Sequence, residues 1–136
     1  MTEQVFIRVE NLEEALAEKA AWGHKARILA GGSDLMVQIN SLVAAPERLV
    51  YIGGAGLSYF KETEEGLEIG AATTLSEVCE AEVVQRRAPV LAQAVGQMAS
   101  WAIRNKATLG GNLANASPAA DTASALLALD LSLIHI

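Results

Sequence analysis

The stretch from Lys25 to Gly53 constrains the fold of this chain more than any other. Residues 25–30, KARILA, form a short apolar run typical of a buried strand, and the helical pattern MVQINSLV follows a glycine turn. Pro46 ends that helix, and residues 49–52, LVYI, indicate a second strand. Two strands joined through a helix in this way are usually parallel members of one sheet. The stretch therefore predicts a βαβ unit with parallel strands.

The glycine turn of this unit, AGGSDL at residues 30–35, is the first candidate ligand site. Gly31 and Gly32 have no Cβ, so their backbone N–H groups can approach a ligand that a side chain would keep away. Ser33 is predicted to cap the helix that follows. The turn lacks the G-x-G-x-x-G pattern of dinucleotide-binding folds and the G-K-[ST] ending of a P-loop. A tight structural turn and a phosphate cradle are both compatible with these residues.

A second glycine turn lies within residues 107–121, ATLGGNLANASPAAD. Ser117 is predicted as the N-cap and Pro118 as the first residue of the last helix. The unpaired N–H groups and the dipole of such a helix start favour an anion close by. The alternative is a capped helix after a tight turn that binds nothing. Residues 104–106, RNK, add positive charge that either helps to hold a pyrophosphate or marks an exposed turn.

Local patterns elsewhere predict further strands and helices. Residues 5–9 alternate as a strand, and Asn11 with Glu14 forms a capping box at the start of the first helix. A hairpin is expected from residues 59–63 and 67–71, with Gly66 at a positive backbone angle in its turn.

Two more helix starts follow. Thr74 and Glu77 form a capping box before a helix over residues 75–80, and Pro89 starts the helix VLAQAVGQMASWA. Cys79, the only cysteine, is expected to be a small core residue. One cysteine rules out an internal disulfide framework and supplies neither a zinc site nor an iron–sulfur cluster, so any metal is expected on another chain.

Composition limits the class of protein. With 136 residues, 51% of them hydrophobic and 19% charged, the chain is expected to fold as a domain of ordinary size. A formal net charge of -6 disfavours nucleic acid or an anionic membrane surface as a general partner. No apolar run approaches the ~20 residues that cross a bilayer, and a cytoplasmic location is expected.

The last six residues, 131–136, read LSLIHI. This is the translation of a common transposon adapter used in sequencing libraries, so we interpret the tail as a read-through artefact and exclude it from the fold. The natural protein is then expected to continue beyond this chain.

Three segments together resemble one known family. AGGSDL after a strand, GAATTL after a hairpin, and IRNKATLGGNLANASPAADT before a helix are similar to the FAD-binding medium subunits of molybdenum hydroxylases, the xanthine dehydrogenase and carbon monoxide dehydrogenase family. The resemblance runs from Val5 to Asp130. It implies an α+β fold, the FAD-binding fold of the vanillyl-alcohol oxidase (PCMH) type, with two α+β subdomains that clasp the cofactor and a C-terminal truncation here.

The resemblance also implies a site. Residues 1–55 would form the first FAD-binding subdomain, and residues 56–130 would start the second. In this family the AGG-S/T-D-L loop lies on the FAD pyrophosphate, and the GGN loop with SPAAD holds the other side. The implied FAD-binding residues are Leu29, Ala30, Gly31, Gly32, Ser33, Asp34, Leu35, Ala107, Thr108, Gly110, Gly111, Asn112, Ser117, Ala120 and Asp121. No catalytic residue and no metal ligand is expected, because the flavin carries the redox chemistry.

The function that the resemblance implies is electron transfer. A molybdopterin-binding large subunit hydroxylates the substrate, a 2Fe-2S small subunit relays electrons, and the FAD of this subunit passes them to NAD or another acceptor. The expected assembly is a heterotrimer that dimerises, with no nucleic acid and no membrane partner. Two alternatives remain open: a stand-alone flavin oxidase or reductase of the same fold, and a non-catalytic scaffold domain.

Overall fold

A computed structural model describes residues 4–133 of the chain as a mixed helix and sheet fold. Short strands precede a helical second half. In chain order the elements are β1 (Val5–Arg8), α1 (Leu12–Trp22), a 3-10 helix (Gly23–Lys25), β2 (Ala26–Leu29), α2 (Leu35–Asn40), β3 (Arg48–Tyr51), β4 (Phe60–Glu62), β5 (Leu67–Ile69), α3 (Leu75–Glu80), α4 (Glu82–Arg87), α5 (Pro89–Gln97), α6 (Trp101–Arg104), α7 (Leu109–Asn115) and α8 (Asp121–Ala128).

The first three strands form one parallel sheet. Both β1 and β2 pair with β3 in the parallel sense, so the strand order is β1-β3-β2. The βαβ unit predicted for Lys25 to Gly53 is therefore confirmed. Strand β2 lies at the edge of the sheet, and its carboxyl end runs directly into the AGGSDL turn.

Helix α1 covers one face of this sheet. The Asn11 side chain accepts a hydrogen bond from the Glu14 N–H at 2.9 Å, which confirms the Asn11 half of the predicted capping box. The Glu14 carboxylate accepts from the Glu10 N–H at 2.9 Å rather than from the Asn11 N–H. Its buried residue Ala15 joins a small apolar core formed with Val9, Ala26, Val50 and Ala55. This packing fixes β2 against the rest of the sheet.

Strands β4 and β5 form the predicted antiparallel hairpin. The prediction of a positive backbone angle at Gly66 is wrong, because among residues 4–133 only Gly23, Gly32 and Gly56 are glycines at positive φ. The turn is closed instead by Thr63, whose hydroxyl accepts from the Gly66 N–H at 3.1 Å and whose N–H donates to the Gly66 carbonyl at 2.8 Å. With these two bonds the turn closes without a left-handed residue at position 66.

Glu62, at the end of β4, ties the hairpin to α4. The Arg86 guanidinium donates to both carboxylate oxygens, at 3.2 and 2.9 Å, and Arg87 approaches to 3.5 Å. The hydrogen bond from Arg86 lowers the pKa of the Glu62 carboxyl, although the pair is exposed.

The helices of the second half enclose the larger core. The capping box of Thr74 and Glu77 is confirmed, because each side chain bonds to the backbone N–H of the other residue. Cys79 is half-buried at the edge of this core. The largest fully buried side chains of this core are those of Leu75, Val78, Val84, Leu91 and Val95.

The helix that starts at Pro89 is shorter than its sequence pattern indicates. Pro89 is the first residue of α5 as predicted, but α5 ends at Gln97 and a new helix, α6, begins at Trp101. Ala99 takes a left-handed conformation, with φ of 52°, between them. The Arg104 guanidinium donates to the carbonyls of Met98 and Ala99, at 2.8 and 3.2 Å, which stabilises the interruption.

None of the helices within residues 4–133 combines the length and the apolar character that a membrane crossing requires. Residues 131–133, the described part of the tail interpreted as an artefact, are exposed and belong to no helix or strand. Residues 134–136 lie outside the described residues.

Candidate functional site

A cleft of about 480 Å³ separates the edge of the parallel sheet from α7. One wall is the end of β2 with the turn that follows it, and the other wall is α7 with the residues just before it. Of the predicted site residues, the cleft brings together Leu29, Ala30, Gly31, Gly32, Ser33, Asp34, Leu35, Ala107, Thr108, Gly110, Gly111 and Asn112. Ser117, Ala120 and Asp121 do not line it.

The two walls touch through backbone atoms at one end of the cleft. A Cβ placed on Gly31 would lie 1.7 Å from the carbonyl oxygen of Lys106, so no side chain fits at this position. Glycine is needed here because the chain segments before α2 and before α7 pack directly against each other. The sequence predicts that Gly31 and Gly32 allow the close approach of a ligand; at Gly31 the close neighbour in the structure is the protein's own backbone.

The turn from Gly31 to Leu35 presents free hydrogen-bond donors. The N–H groups of these five consecutive residues have no protein acceptor within residues 4–133. The next N–H along the chain, that of Met36, does have an acceptor, because it donates to the Gly32 carbonyl at 3.0 Å. Consecutive backbone N–H groups in a concave turn form an anion-binding site. The turn is therefore the part of the cleft best suited to a phosphate group.

Ser33 does not cap α2, so that prediction is wrong. The N-cap position is Asp34, which has helical backbone angles, and no side chain caps the helix. Capping requires an extended residue whose side chain turns back to the first helical N–H groups. Without such a cap, the N–H groups at the start of α2 remain available to the cleft.

The segment of the second glycine turn is helical in its first part. Residues Leu109–Asn115 form α7, and its N-cap is Thr108. All four N–H groups of its first turn have partners within the chain. The N–H groups of Leu109 and Gly110 donate to the Thr73 carbonyl at 3.0 Å and to the Ala71 carbonyl at 2.9 Å. Those of Gly111 and Asn112 donate to the Thr108 hydroxyl at 3.1 Å and to the Thr108 carbonyl at 2.9 Å. This wall therefore offers the cleft its shape and side chains rather than free N–H donors.

The same contacts give the GAATTL segment at residues 70–75 a structural role. Its carbonyls at Ala71 and Thr73 accept from α7, and the Leu75 N–H donates to the Ala107 carbonyl at 2.8 Å. A Cβ on Gly110 would lie 2.7 Å from both the Ala71 Cβ and its oxygen, so α7 packs directly on this segment. GAATTL thus fixes the position of the α7 wall.

The prediction that Ser117 caps the last helix is also wrong. Helix α8 begins at Asp121, its N-cap is Ala120, and no side chain caps it. Ser117 instead closes a turn, because its carbonyl accepts from the Ala120 N–H at 3.0 Å and its hydroxyl from the Ala119 N–H at 3.3 Å. Ala116, with φ of 51°, is the C-cap of α7, and Ser117 in the turn that follows does not line the cleft.

Asn112 connects α7 to α8. The hydroxyl of the fully buried Thr122 donates a hydrogen bond to Asn112 Oδ1. The Asn112 side chain, which the sequence predicts to bind FAD, therefore also has a hydrogen-bond partner within the protein.

Four polar residues of the cleft were missed by the sequence interpretation: Lys19, Arg27, Gln38 and Asn115. Arg27 lines the cleft from β2, and Gln38 donates to Asn115 Oδ1 at 3.1 Å between α2 and α7. Arg27 had a signal, because a charged residue within an apolar strand marks one side of that strand as accessible. Gln38 and Asn115 are far apart in sequence, and only the tertiary fold pairs them.

A match over nearly the whole chain identifies its family. Residues 2–135 match the family described as "FAD binding domain in molybdopterin dehydrogenase". The chain belongs to this family.

Two related proteins that match most of this chain are named as dehydrogenase subunits. The alpha subunit of the 6-hydroxypseudooxynicotine dehydrogenase complex of Paenarthrobacter nicotinovorans is 33% identical over 126 residues, which are 92% of this chain and 43% of that subunit. The xanthine dehydrogenase FAD-binding subunit of Escherichia coli O157:H7 is 38% identical over 114 residues, which are 82% of this chain and 39% of that subunit.

The fold has solved counterparts as well. Reconstituted CO dehydrogenase from Oligotropha carboxidovorans matches with a TM-score of 0.86 and 30% identity, over 88% of this chain and 42% of that chain. The chain thus spans less than half the length of these relatives.

The cofactor of this domain family is FAD, and the cleft fits its most polar part. FAD contains a diphosphate, which has two negative charges and several acceptor oxygens. The turn from Gly31 to Leu35 supplies N–H donors without acceptors among residues 4–133, and Arg27 adds positive charge to the same cleft. These residues would hold the diphosphate through donors that neither wall uses for its own folding.

Proposed function

We propose that the complete protein carrying this domain is the FAD-binding subunit of a molybdenum hydroxylase complex. Its partners would be a molybdopterin-binding large subunit and a 2Fe-2S small subunit, in a heterotrimer that dimerises. Relatives named as a dehydrogenase complex subunit and as a carbon monoxide dehydrogenase medium chain support this assignment.

FAD, when bound, would supply the redox chemistry of this subunit, receiving electrons from the 2Fe-2S subunit and delivering them to NAD or another acceptor. The chain's own residues bind and orient the cofactor. They need not act as acid, base or nucleophile.

Within the domain, we propose that the turn from Leu29 to Leu35 holds the FAD diphosphate. The observation that carries this proposal is the run of N–H groups from Gly31 to Leu35 that have no acceptor among residues 4–133. The opposite wall, at Ala107, Thr108 and residues 110–112, would shape the cleft along the cofactor. Contact with Ser117, Ala120 and Asp121 remains a prediction for the part of FAD that extends beyond the cleft.

We also propose the division into two subdomains at about residue 55. The parallel sheet and α1 lie before it, and the hairpin and the larger helical core lie after it. The cleft lies between residues from both parts, which supports the proposal that FAD is clasped by them.

Purification of the full-length protein tests the assignment. The expected product is yellow, and mass spectrometry of the released cofactor identifies FAD in one copy per chain. Folded full-length protein that stays colourless after incubation with FAD would contradict the proposal and favour a scaffold role. Co-purification with molybdopterin and iron–sulfur subunits would separate the complex from a stand-alone flavin oxidase or reductase.

A further inference from the structure

Arg27 stands out among the charged residues of the cleft. The lining contains two cations, Lys19 and Arg27, and one anion, Asp34. The Lys19 ammonium is already bound, because it donates to the carbonyls of Gly23 at 2.6 Å and Ala26 at 2.8 Å. Arg27 is exposed and has neither an ion pair nor a hydrogen-bond partner among residues 4–133. It is the cation in the cleft whose charge is free to serve a ligand.

The other arginines of the chain differ from Arg27 because they have protein partners. The sequence contains six arginines, and five of them have protein partners. Arg8 pairs with Glu10, Arg48 with Glu18, Arg86 and Arg87 with Glu62, and Arg104 with two backbone carbonyls. In a chain with net charge -6, an acidic partner for Arg27 would be easy to supply. Among the described residues 4–133, Arg27 is thus the arginine without a protein partner, and it lines the cleft that also contains the N–H groups without acceptors.

The position and the chemistry of Arg27 suit it to bind an anionic group of a ligand. Strand β2 carries it toward the turn, and at about 3.3 Å per residue its Cα lies roughly 13 Å along the chain from that of Gly31. The planar guanidinium can bind two phosphate oxygens at once, and a cation in a cleft attracts an anion over distances of about the Debye length, ~8 Å.

We propose that Arg27 is a positioning residue that binds the diphosphate of FAD. Its guanidinium neutralises part of the diphosphate charge, and the N–H groups of residues 31–35 bind the oxygens. The inference rests on the proposed function, because it assigns a residue to the cofactor of the same site.

The test measures FAD affinity of the full-length apo-protein by flavin fluorescence at low and high salt. Arg27→Ala should weaken binding about tenfold to hundredfold at low salt, as expected for loss of a hydrogen bond to a charged group, with a flatter salt dependence. Arg27→Lys should keep most of the salt dependence while losing affinity. Arg8→Ala, which removes the same charge from the same sheet outside the cleft, should bind like the wild type.

A competition experiment with ADP isolates the diphosphate. The ADP dissociation constant obtained from displacement of FAD should rise in Arg27→Ala by about the same factor as that of FAD, whereas Arg8→Ala should leave both constants unchanged. Wild-type protein that binds FAD while Arg27→Ala binds it equally, with the same salt dependence, would overturn the role of Arg27 and leave the proposed function standing. Wild-type protein that binds no FAD would overturn both. Thermal unfolding of each variant checks the fold, and Arg27→Gln replaces Arg27→Ala if the latter is unfolded.

Discussion

Gly31 and Lys106 are in direct backbone contact, with the place of a Gly31 Cβ only 1.7 Å from the Lys106 carbonyl oxygen. This contact joins the turn of the parallel sheet to the segment that leads into α7. It therefore sets the width of the cleft between them.

The first prediction follows from that contact. Gly31→Ala should force the two segments apart, lower the free energy of unfolding by roughly 2 kcal/mol or more, and abolish tight FAD binding. Gly66→Ala is the matched control, because a Cβ there meets nothing within 4 Å and the residue is not at positive φ. It should stay within about 1 kcal/mol of the wild type. Equal stability of the two variants in chemical denaturation would contradict the contact.

The second prediction concerns which hydroxyl caps a helix. Thr108→Val should destabilise the protein by about 1 kcal/mol, because the Gly111 N–H loses the acceptor that the buried Thr108 side chain supplies. Ser117→Ala should change stability by no more than about 0.5 kcal/mol, since Ser117 is exposed and caps no helix. Urea denaturation of both variants checks the order of the two effects. The reverse order would restore the sequence-based assignment of Ser117.

The third prediction tests the link between α7 and α8. Thr122→Val removes the hydroxyl that donates to Asn112 and leaves the amide oxygen unpaired, which should cost about 1 to 3 kcal/mol. Asn112→Ala and the double variant complete a mutant cycle, whose coupling energy should be about 0.5 kcal/mol or more. Strict additivity in denaturation experiments would show that the two side chains do not interact.

The fourth prediction is a pH dependence at the hairpin. Because Arg86 lowers the pKa of Glu62, the carboxylate form stabilises the folded state at neutral pH. That contribution is present above the ordinary glutamate pKa of 4.5 and is lost as the pH falls through the lower folded-state value. Glu62→Gln should therefore be less stable than the wild type at neutral pH, with the difference shrinking in acid and in high salt. Thermal midpoints across pH would refute the assignment if the difference were constant.

Local sequence predicted the features that local chemistry decides. The caps at Asn11 and Thr74 and the helix start at Pro89 depend on residues within one turn of each other, and the structure has all three. The βαβ unit was predictable for a similar reason, since strand, turn and helix follow directly in sequence. The family resemblance then supplied the cofactor.

The wrong predictions at Ser117 and at the end of α5 have a tertiary cause. Thr108 and Ser117 are both capping residues followed by a helix-compatible segment, and only the packing of residues 107–110 on residues 71–75 decides that Thr108 caps α7. The early end of α5 depends likewise on Arg104, whose side chain binds the carbonyls before α6. The pairing of Gln38 with Asn115 has no local signal at all.

The two walls of the cleft differ in how their backbone amides are used, and this has a consequence for cofactor loading. The amides of residues 109–112 are bonded within the chain, so this wall is preorganised and should exchange its hydrogens slowly before any cofactor arrives. The amides of residues 31–35 have no such bonds among residues 4–133, so they should exchange fast in the apo-protein and slow down when FAD binds. The entropic cost of binding then falls on one short turn, while the other wall keeps its shape throughout.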